Sequence, residues 1–502
     1  MSKRVRTIVI ALIAVAVLGG ALAAVLLLTE KPAVDDPTPE EDTSVTLSDT
    51  AAAVTKVEIA LTGESFTIAS QEDGVLGVTQ YADLPVNADA VDALTGALQK
   101  LTANRKLDNP QADADYGLDK PAATLTATFA DGATLALELG DTTHASEETY
   151  LRVKGKPEIY MVDETLSDTL TLPSAGYIGV SLMTAPEVEK DDENGQPVMR
   201  SITLTGGVRG DKPLTVRRTN TADSDTMRLY TYWVEQPFSR GANDTAATEA
   251  FSAAYSLTAG SAAFAHPTEQ QKKDCGLDHP STVAKIVTAV ESKDVSNLGE
   301  NDSVDNAPTR YYGVQNHTVT VGDGLEGDLY YVMVDDLDVI YLVSGGAIPW
   351  KDMGYNDIAS TMLFLQDITG IGAITVVDQG NETRFILTHD PEAGNANDML
   401  TVTVDGEQKD TYYFRQLYQV MMGIKRIGDA DPPSTGQADM TIRIESTDTR
   451  DTVVEARLIR TSGSRYTCVM QDGDVYAVSA GSVEALQKQM AQYLAGKEVL
   501  VY

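Results

Sequence analysis

The sequence predicts an α+β fold: a single N-terminal transmembrane helix followed by tandem repeated modules, each an antiparallel sheet plus a helix. Three observations carry this. Thr7 to Leu28 runs 22 residues without a charge. A Gly-Leu-Asp-x-Pro motif occurs twice, at Gly117–Pro121 and Gly276–Pro280, and further short motifs follow each copy in the same order. Around both copies, apolar residues alternate with period two, interrupted by single stretches of helical period, the pattern of strands with a helix inserted.

Taken in order, residues 1–6 carry Lys3, Arg4 and Arg6 and read as a cytoplasmic tail. Residues 7–28 follow; at about 1.5 Å per residue they are long enough to cross a hydrocarbon core of about 30 Å. Ala21-Leu22-Ala23 resembles a signal-peptide cleavage site. The apolar run continues through Val25, Leu26, Leu27 and Leu28, which favours an uncleaved anchor. Glu30, Asp35, Asp36, Glu40, Glu41 and Asp42 come next, so the positive-inside rule predicts a single-pass protein of the cell membrane with its C-terminal bulk on the extracytoplasmic side. Residues 29–50, acidic and rich in Pro and Thr, read as a disordered linker.

Three modules are expected beyond it, over 51–185, 199–355 and 371–502. The Gly-Leu-Asp-x-Pro copies lie 159 residues apart. Leu139-Gly140-Asp141 matches Val321-Gly322-Asp323, Ile159-Tyr160 matches Ile340-Tyr341, and Gly176-Tyr177 matches Gly354-Tyr355, at offsets of 182, 181 and 178. The jump places an insertion after the second motif, in the polar stretch Glu291 to Arg310, read as a surface loop. The third module is divergent. Ile374-Thr375-Val376-Val377 opens it and Val475-Tyr476-Ala477-Val478 stands where Ile159-Tyr160 stands in the first, but only Asp431-Pro432-Pro433 holds the motif position.

Within a module the expected order is two strands, a helix, the motif, then more strands. Lys56 to Leu61 and Ser65 to Ser70 are the first strands. Val91, Leu94, Leu98 and Leu101 recur at helical spacing behind Asn87, a candidate N-cap. Phe414, Leu417, Tyr418 and Met421 make the same face in the third module, and Val483, Leu486, Met490 and Tyr493 predict a closing helix. Leu125, Ala127 and Phe129 alternate with threonines, Leu135, Leu137 and Leu139 repeat the pattern, and Asp131-Gly132 between them signals a hairpin turn.

No reaction can be read from the chain. The formal net charge is −36, which argues against nucleic-acid binding. Two cysteines exclude a disulfide scaffold or a cysteine zinc cluster; a Cys275–Cys468 bridge is open to an extracytoplasmic protein but nothing requires it. The histidines His144, His266, His279, His317 and His389 form no helical metal pair. No nucleophile elbow is present, and Gly206-Gly207 and Gly345-Gly346 lack the lysine of a phosphate loop. The motif residues are those of a turn, with Asp119 and Asp278 as ligands the sharper reading. Asp335-Asp336-Leu337-Asp338 and Asp472-Gly473-Asp474 are the acidic clusters that oxygen ligation of calcium would use, and hairpin turns explain them equally. Tyr230, Tyr232, Trp233, Tyr330, Tyr331, Tyr412 and Tyr413 read as strand packing or as an aromatic surface for a partner or glycan. No catalytic, cofactor or metal residue is assigned, and no cofactor is expected.

The ordered set Leu101-Thr102-Ala103-Asn104-Arg105, Tyr116-Gly117-Leu118-Asp119-x-Pro121, Leu139-Gly140-Asp141, Tyr150 to Val153 and Ile159-Tyr160 resembles a bacterial membrane-anchored family known only as a domain of unknown function. The resemblance covers about residues 50 to 360 and weakly the remainder. Some members are encoded beside ABC transporter genes of the gliding-motility or auxiliary type, which implies a transporter partner; the family has no established catalytic residues to carry over. The expectation is therefore a non-enzymatic, membrane-anchored accessory or scaffold subunit of an ABC-type transport or envelope complex. The alternatives are an envelope glycan- or peptide-binding module, and a hydrolase whose carboxylates come from distant loops.

Overall fold

Three antiparallel sheets of eight, nine and nine strands, with two two-stranded ones, carry the chain. The computed structural model describes residues 44–501 apart from 73, 144–146, 297–302, 305–306, 391, 394–398, 434–436 and 452. The described chain divides into two compact units, one of residues up to 76 with 90–172, the other of 77–89 with 173 onward. The second unit holds both nine-stranded sheets.

The large sheets share one strand plan. In the second sheet, Gln196–Thr205, Leu214–Arg218, Tyr232–Gln236 and Arg240–Gly241 step outward from the centre. A helix, Asp244–Phe251, then carries the chain away, and Ser261–Ala265 is laid at the far edge. Thr282–Lys293 returns to the centre beside Gln196–Thr205, and three more strands run outward until Val339–Ser344 meets Ser261–Ala265. The third sheet repeats this, with Ile371–Asp378 and Met440–Ser446 at its centre and Arg426–Asp429 as the strand laid early. In the first, Val54–Leu61 pairs with Ala123–Phe129, and Arg105–Lys106 is the early strand that Ile159–Val162 later joins.

The alternation of the sequence fills these cores. Ala123–Phe129 buries every second side chain. In the central pairs, Ile202 faces Ile286 and Ile374 faces Ile444, all fully buried or nearly so. Asp131 accepts the Ala133 amide and Gly132 takes φ +85°, closing the hairpin. Helix Ala88–Gln99 buries Val91, Leu94 and Leu98; Leu101 is buried too, but in the strand that follows. The Asn87 side chain donates to the Gly176 carbonyl at 3.0 Å. Helices Thr411–Met422 and Ala480–Leu494 bury all eight expected apolar residues, and Phe385, Phe414 and Tyr493 meet with ring centroids 5.3 to 6.0 Å apart.

The repeated motifs are two halves of one contact. Gly117 and Gly276 adopt φ of +70° and +69°. Asp323 donates its amide to the Cys275 carbonyl at 2.9 Å. A Cβ on Gly140 would collide with the Tyr116 carbonyl, and one on Gly322 with the Cys275 carbonyl. Gly-Leu-Asp and Gly-Asp therefore recur together: Gly140 and Gly322 leave room for the carbonyl before the motif, and Gly117 and Gly276 leave room for the Asp141 and Asp323 side chains.

The α+β assignment is corrected: 43% of residues are in strands and 20% in helices, so the fold is predominantly antiparallel sheet. The predicted transmembrane helix at 7–28 lies outside the described residues, and no described helix is long and apolar enough to cross a membrane. The sequence underweights strands because several are polar. Arg310 to Asn316, partly read as loop, belongs to the 17-residue strand Thr309–Leu325, and Glu291 to Lys293 ends the strand it pairs with. The two extended strands need no apolar alternation there, since backbone pairing holds them. Tyr412 and Tyr413 start a helix rather than a strand.

Gly322→Ala is expected to cost about 3 kcal/mol through overpacking. Gly327→Ala, at φ +82° with open space around it, should cost only about 1–2 kcal/mol of backbone strain. Urea unfolding followed by tryptophan fluorescence checks this, since Trp233 and Trp350 both lie in the second unit.

Candidate functional site

Within the second unit, the connection Ala359–Met362 joins the edges of the two nine-stranded sheets. Ala359 bridges Ala242, the Ser360 amide donates to the Gly241 carbonyl at 2.9 Å, and the Arg426 amide donates to the Thr361 carbonyl at 2.8 Å. Met362 then bridges Lys425. Edge strand Arg240–Gly241 of one sheet and edge strand Arg426–Asp429 of the other thus share a strand-like connector.

A buried polar cluster forms where they meet. Arg240 Nη2 lies 3.1 Å from Asp474 Oδ2 and 3.3 Å from the Tyr476 hydroxyl, with the guanidinium 4.9 Å from the Tyr476 ring centroid. The Arg240 and Asp474 side chains are only 8% and 6% exposed. Tyr355 donates its hydroxyl to Asp474 Oδ2 at 2.5 Å. Arg426 stacks over Tyr355 and Tyr476 at 5.7 and 5.9 Å and reaches Asp429 at 2.7 Å. Burial raises the pKa of both phenols, so they stay protonated; Tyr355 donates to Asp474, while the Tyr476 oxygen accepts from Arg240. Burial also pushes the Cys468 thiol up to about 12.

Beside the cluster lies a cleft of about 770 Å³, its open mouth included. Trp233 comes from the second sheet, Met227 and Tyr230 from the turn leading into its strand, Met362 from the connector, Leu363, Leu365 and Gln366 from the residues just after it, and Val454 and Met470 from the third sheet. Arg240 lines it as well. Across the mouth, Thr226 donates to Asp451 at 2.8 Å and Arg450 to the Asp223 carbonyl at 2.9 Å. Arg240 Nε and Nη1 and Gln366 Oε1 are buried without a hydrogen-bond partner. Trp233 spends its indole N–H on Ser239 and meets Tyr230 edge-on at 5.6 Å. The cleft offers fixed donors, one acceptor, aromatic faces and soft thioethers, a set suited to holding a ligand.

The residues weighed as ligands fall elsewhere, with one exception; of the aromatic set, Tyr230 and Trp233 line the cleft. Asp119 and Asp278 are exposed, Asp278 lying 3.9 Å from the exposed His279. His266 contacts Asp83 and Asp338, His317 lies 2.8 Å from Asp335, and His389 donates to the Ile371 carbonyl; His144 is outside the described residues. Among the described residues no three His, Cys, Asp or Glu side chains form a metal-holding group. Asp335 takes the Thr318 amide in a hairpin turn. Gly206 accepts from the buried Arg209, which also holds the Trp350 and Lys351 carbonyls. Both cysteines are free and buried. Tyr230 and Tyr232 are buried, while Trp233 reaches the cleft.

The exception is Asp474, read as a turn residue. Its amide does close the turn on Asp472 at 3.1 Å, while its carboxylate is the counter-ion of Arg240. Arg240, Tyr355 and Gln366 were invisible as a group. The one signal was the repeated apolar-Tyr pair, which places Tyr160, Tyr341 and Tyr476 at the same strand of each sheet, each buried.

Asp474→Ala strands a buried guanidinium and is expected to cost about 3–5 kcal/mol; Arg240→Met with Asp474→Leu should cost clearly less than that single change. Urea unfolding of the three chains measures both. Neither Cys275 nor Cys468 should react with iodoacetamide at about pH 8 until the protein unfolds, because burial raises both thiols. Mass spectrometry of native and denatured samples checks it.

No curated protein and no solved structure matches the chain. The family described as Domain of unknown function (DUF4340) matches residues 77–191 and 237–435. The match includes both Gly-Leu-Asp-x-Pro motifs, Arg240, Tyr355 and Gln366, and stops short of Asp474 and Tyr476. Since these residues make up more than half of the sequence, the chain belongs to the DUF4340 family, a domain of unknown function.

Proposed function

We propose that the chain is a non-enzymatic accessory or scaffold subunit of an ABC-type transport or envelope complex, working at the cell membrane with its folded bulk on the extracytoplasmic side. The observation that carries this reading is the threefold use of one strand plan, with two of the sheets joined through the connector Ala359–Met362. Repetition of a sheet multiplies faces and edges for partners without needing a reaction centre. The net charge of −36 supports it, because like-charged lipid headgroups repel such a body and leave proteins as the partners it can meet. The family resemblance, with some members encoded beside ABC transporter genes, points the same way.

A second reading is an envelope binding module for peptide or glycan. The cleft with Trp233 and Tyr230 in its wall favours it.

Crosslinking in native membranes, followed by purification and mass spectrometry, tests the first reading. Enrichment of transporter permease subunits is the expected outcome. Recovery of the protein alone in mild detergent would overturn it, and enrichment of cell-wall material would favour the second reading.

A further inference from the structure

Five places in the second unit compete for a role: the cleft beside Arg240, the acidic surface around Asp192 and Asp294, the groove beside Arg218 and Tyr255, the small hollow at Gln419 and Ser482, and the His266 cluster. The acidic surface is already served by Arg310, which reaches Asp192 at 3.1 Å, and by Tyr312. His266 is shared between Asp83 and Asp338. Among the described residues, only the cleft is lined by side chains, Arg240 and Gln366, that carry buried polar atoms without a partner on a site with apolar walls.

We propose that this cleft binds an extended peptide segment, taking one apolar side chain and the backbone amide beside it. The argument runs from the unmet hydrogen bonds. Arg240 Nε and Nη1 need an acceptor, and Gln366 Oε1 needs a donor. Leaving such groups buried and unpaired costs about 1–3 kcal/mol each, which a ligand that pairs them recovers. The acceptor is a neutral carbonyl, not a carboxylate. Asp474 already neutralises Arg240, and at the mouth Arg450 is paired with Asp448 beside Asp451, so no uncompensated cation is left to draw an anion. A carboxylate also has no donor for Gln366, whereas a peptide amide carries a C=O and an N–H side by side. Met227, Met362 and Met470 surround the apolar part with flexible thioethers that adapt to different side chains. The space within the cleft itself is about 160 Å³, room for one apolar side chain and not for a folded partner, so the rest of the segment lies across the mouth. The inference rests on the second reading, of a binding module, and not on the accessory role, so a failed crosslinking experiment leaves it standing.

Titration of the full chain with acetyl-trileucine amide, followed by the fluorescence of Trp233, tests it. Decanoate and N,N′-diacetylchitobiose serve as the acyl and glycan comparisons. Saturable binding of the peptide amide is expected, at least tenfold tighter than either comparison. Trp233→Phe should abolish the signal, and calorimetry should still detect binding. Gln366→Leu removes the unmet acceptor without touching the Arg240–Asp474 pair. It should weaken the peptide about tenfold while leaving the urea midpoint unchanged or raised. Tighter binding of decanoate or the disaccharide, no peptide binding at millimolar concentration, or peptide binding insensitive to Gln366→Leu in a folded protein would each overturn the proposal.

Discussion

The contact on which the second unit depends is the buried pair Arg240–Asp474. An ion pair taken out of water gains little over well-packed apolar groups, because desolvation offsets most of its Coulomb attraction. Its influence is geometric. A guanidinium that is 8% exposed tolerates few positions, and here its Nη2 is fixed by a carboxylate and a phenol from the neighbouring sheet. Sliding one sheet along the other would expose or orphan these charges at once. The connector Ala359–Met362 brings the two edges together, and the ion pair sets how they are seated.

The cleft follows from that seating. Side chains that would fill a gap between two apolar surfaces are replaced near Arg240 by groups tied to the cluster, so packing is incomplete beside it. Part of the hydrogen-bonding capacity of Arg240 goes to Asp474 and Tyr476, and the rest finds nothing within the protein. A polar device that fixes the sheets thereby leaves donors facing an opening. The side chain that seats the two sheets is thus also the one whose remaining donors find no partner beside the cleft.

How much of this could be read from the chain depended on range. Local patterns were legible: the alternation of Leu125, Ala127 and Phe129, the turn at Asp131-Gly132, and the helical faces of Leu94 and Phe414 each lie within a dozen residues. The repeated motifs were legible too, though not as a contact; only the structure places Gly140 against Tyr116. The two ends of the stretch Glu291 to Arg310 were misread as loop, because Glu291 to Lys293 and Thr309 to Arg310 pair through backbone while their side chains are polar. The candidate site was almost wholly hidden. Arg240 and Tyr476 are 236 residues apart, and a contact over that separation leaves no periodicity or spacing behind. Asp474 sat in a Gly-containing turn whose local explanation was sufficient, which concealed its second partner.

The strand plan has a consequence for synthesis. Each large sheet sets an edge strand aside before the strand that pairs with it has been made, so the chain must hold an open seam while translation continues. For Arg240 the wait lasts until Tyr476 emerges, 236 residues later. At about 5–20 residues per second, that is roughly ten to fifty seconds in which a cation destined for the interior stands in water. A hydrated cation on an edge strand disfavours pairing with a further strand, so the residue that later seats the assembled sheets is also one that an unfinished edge can expose at little risk.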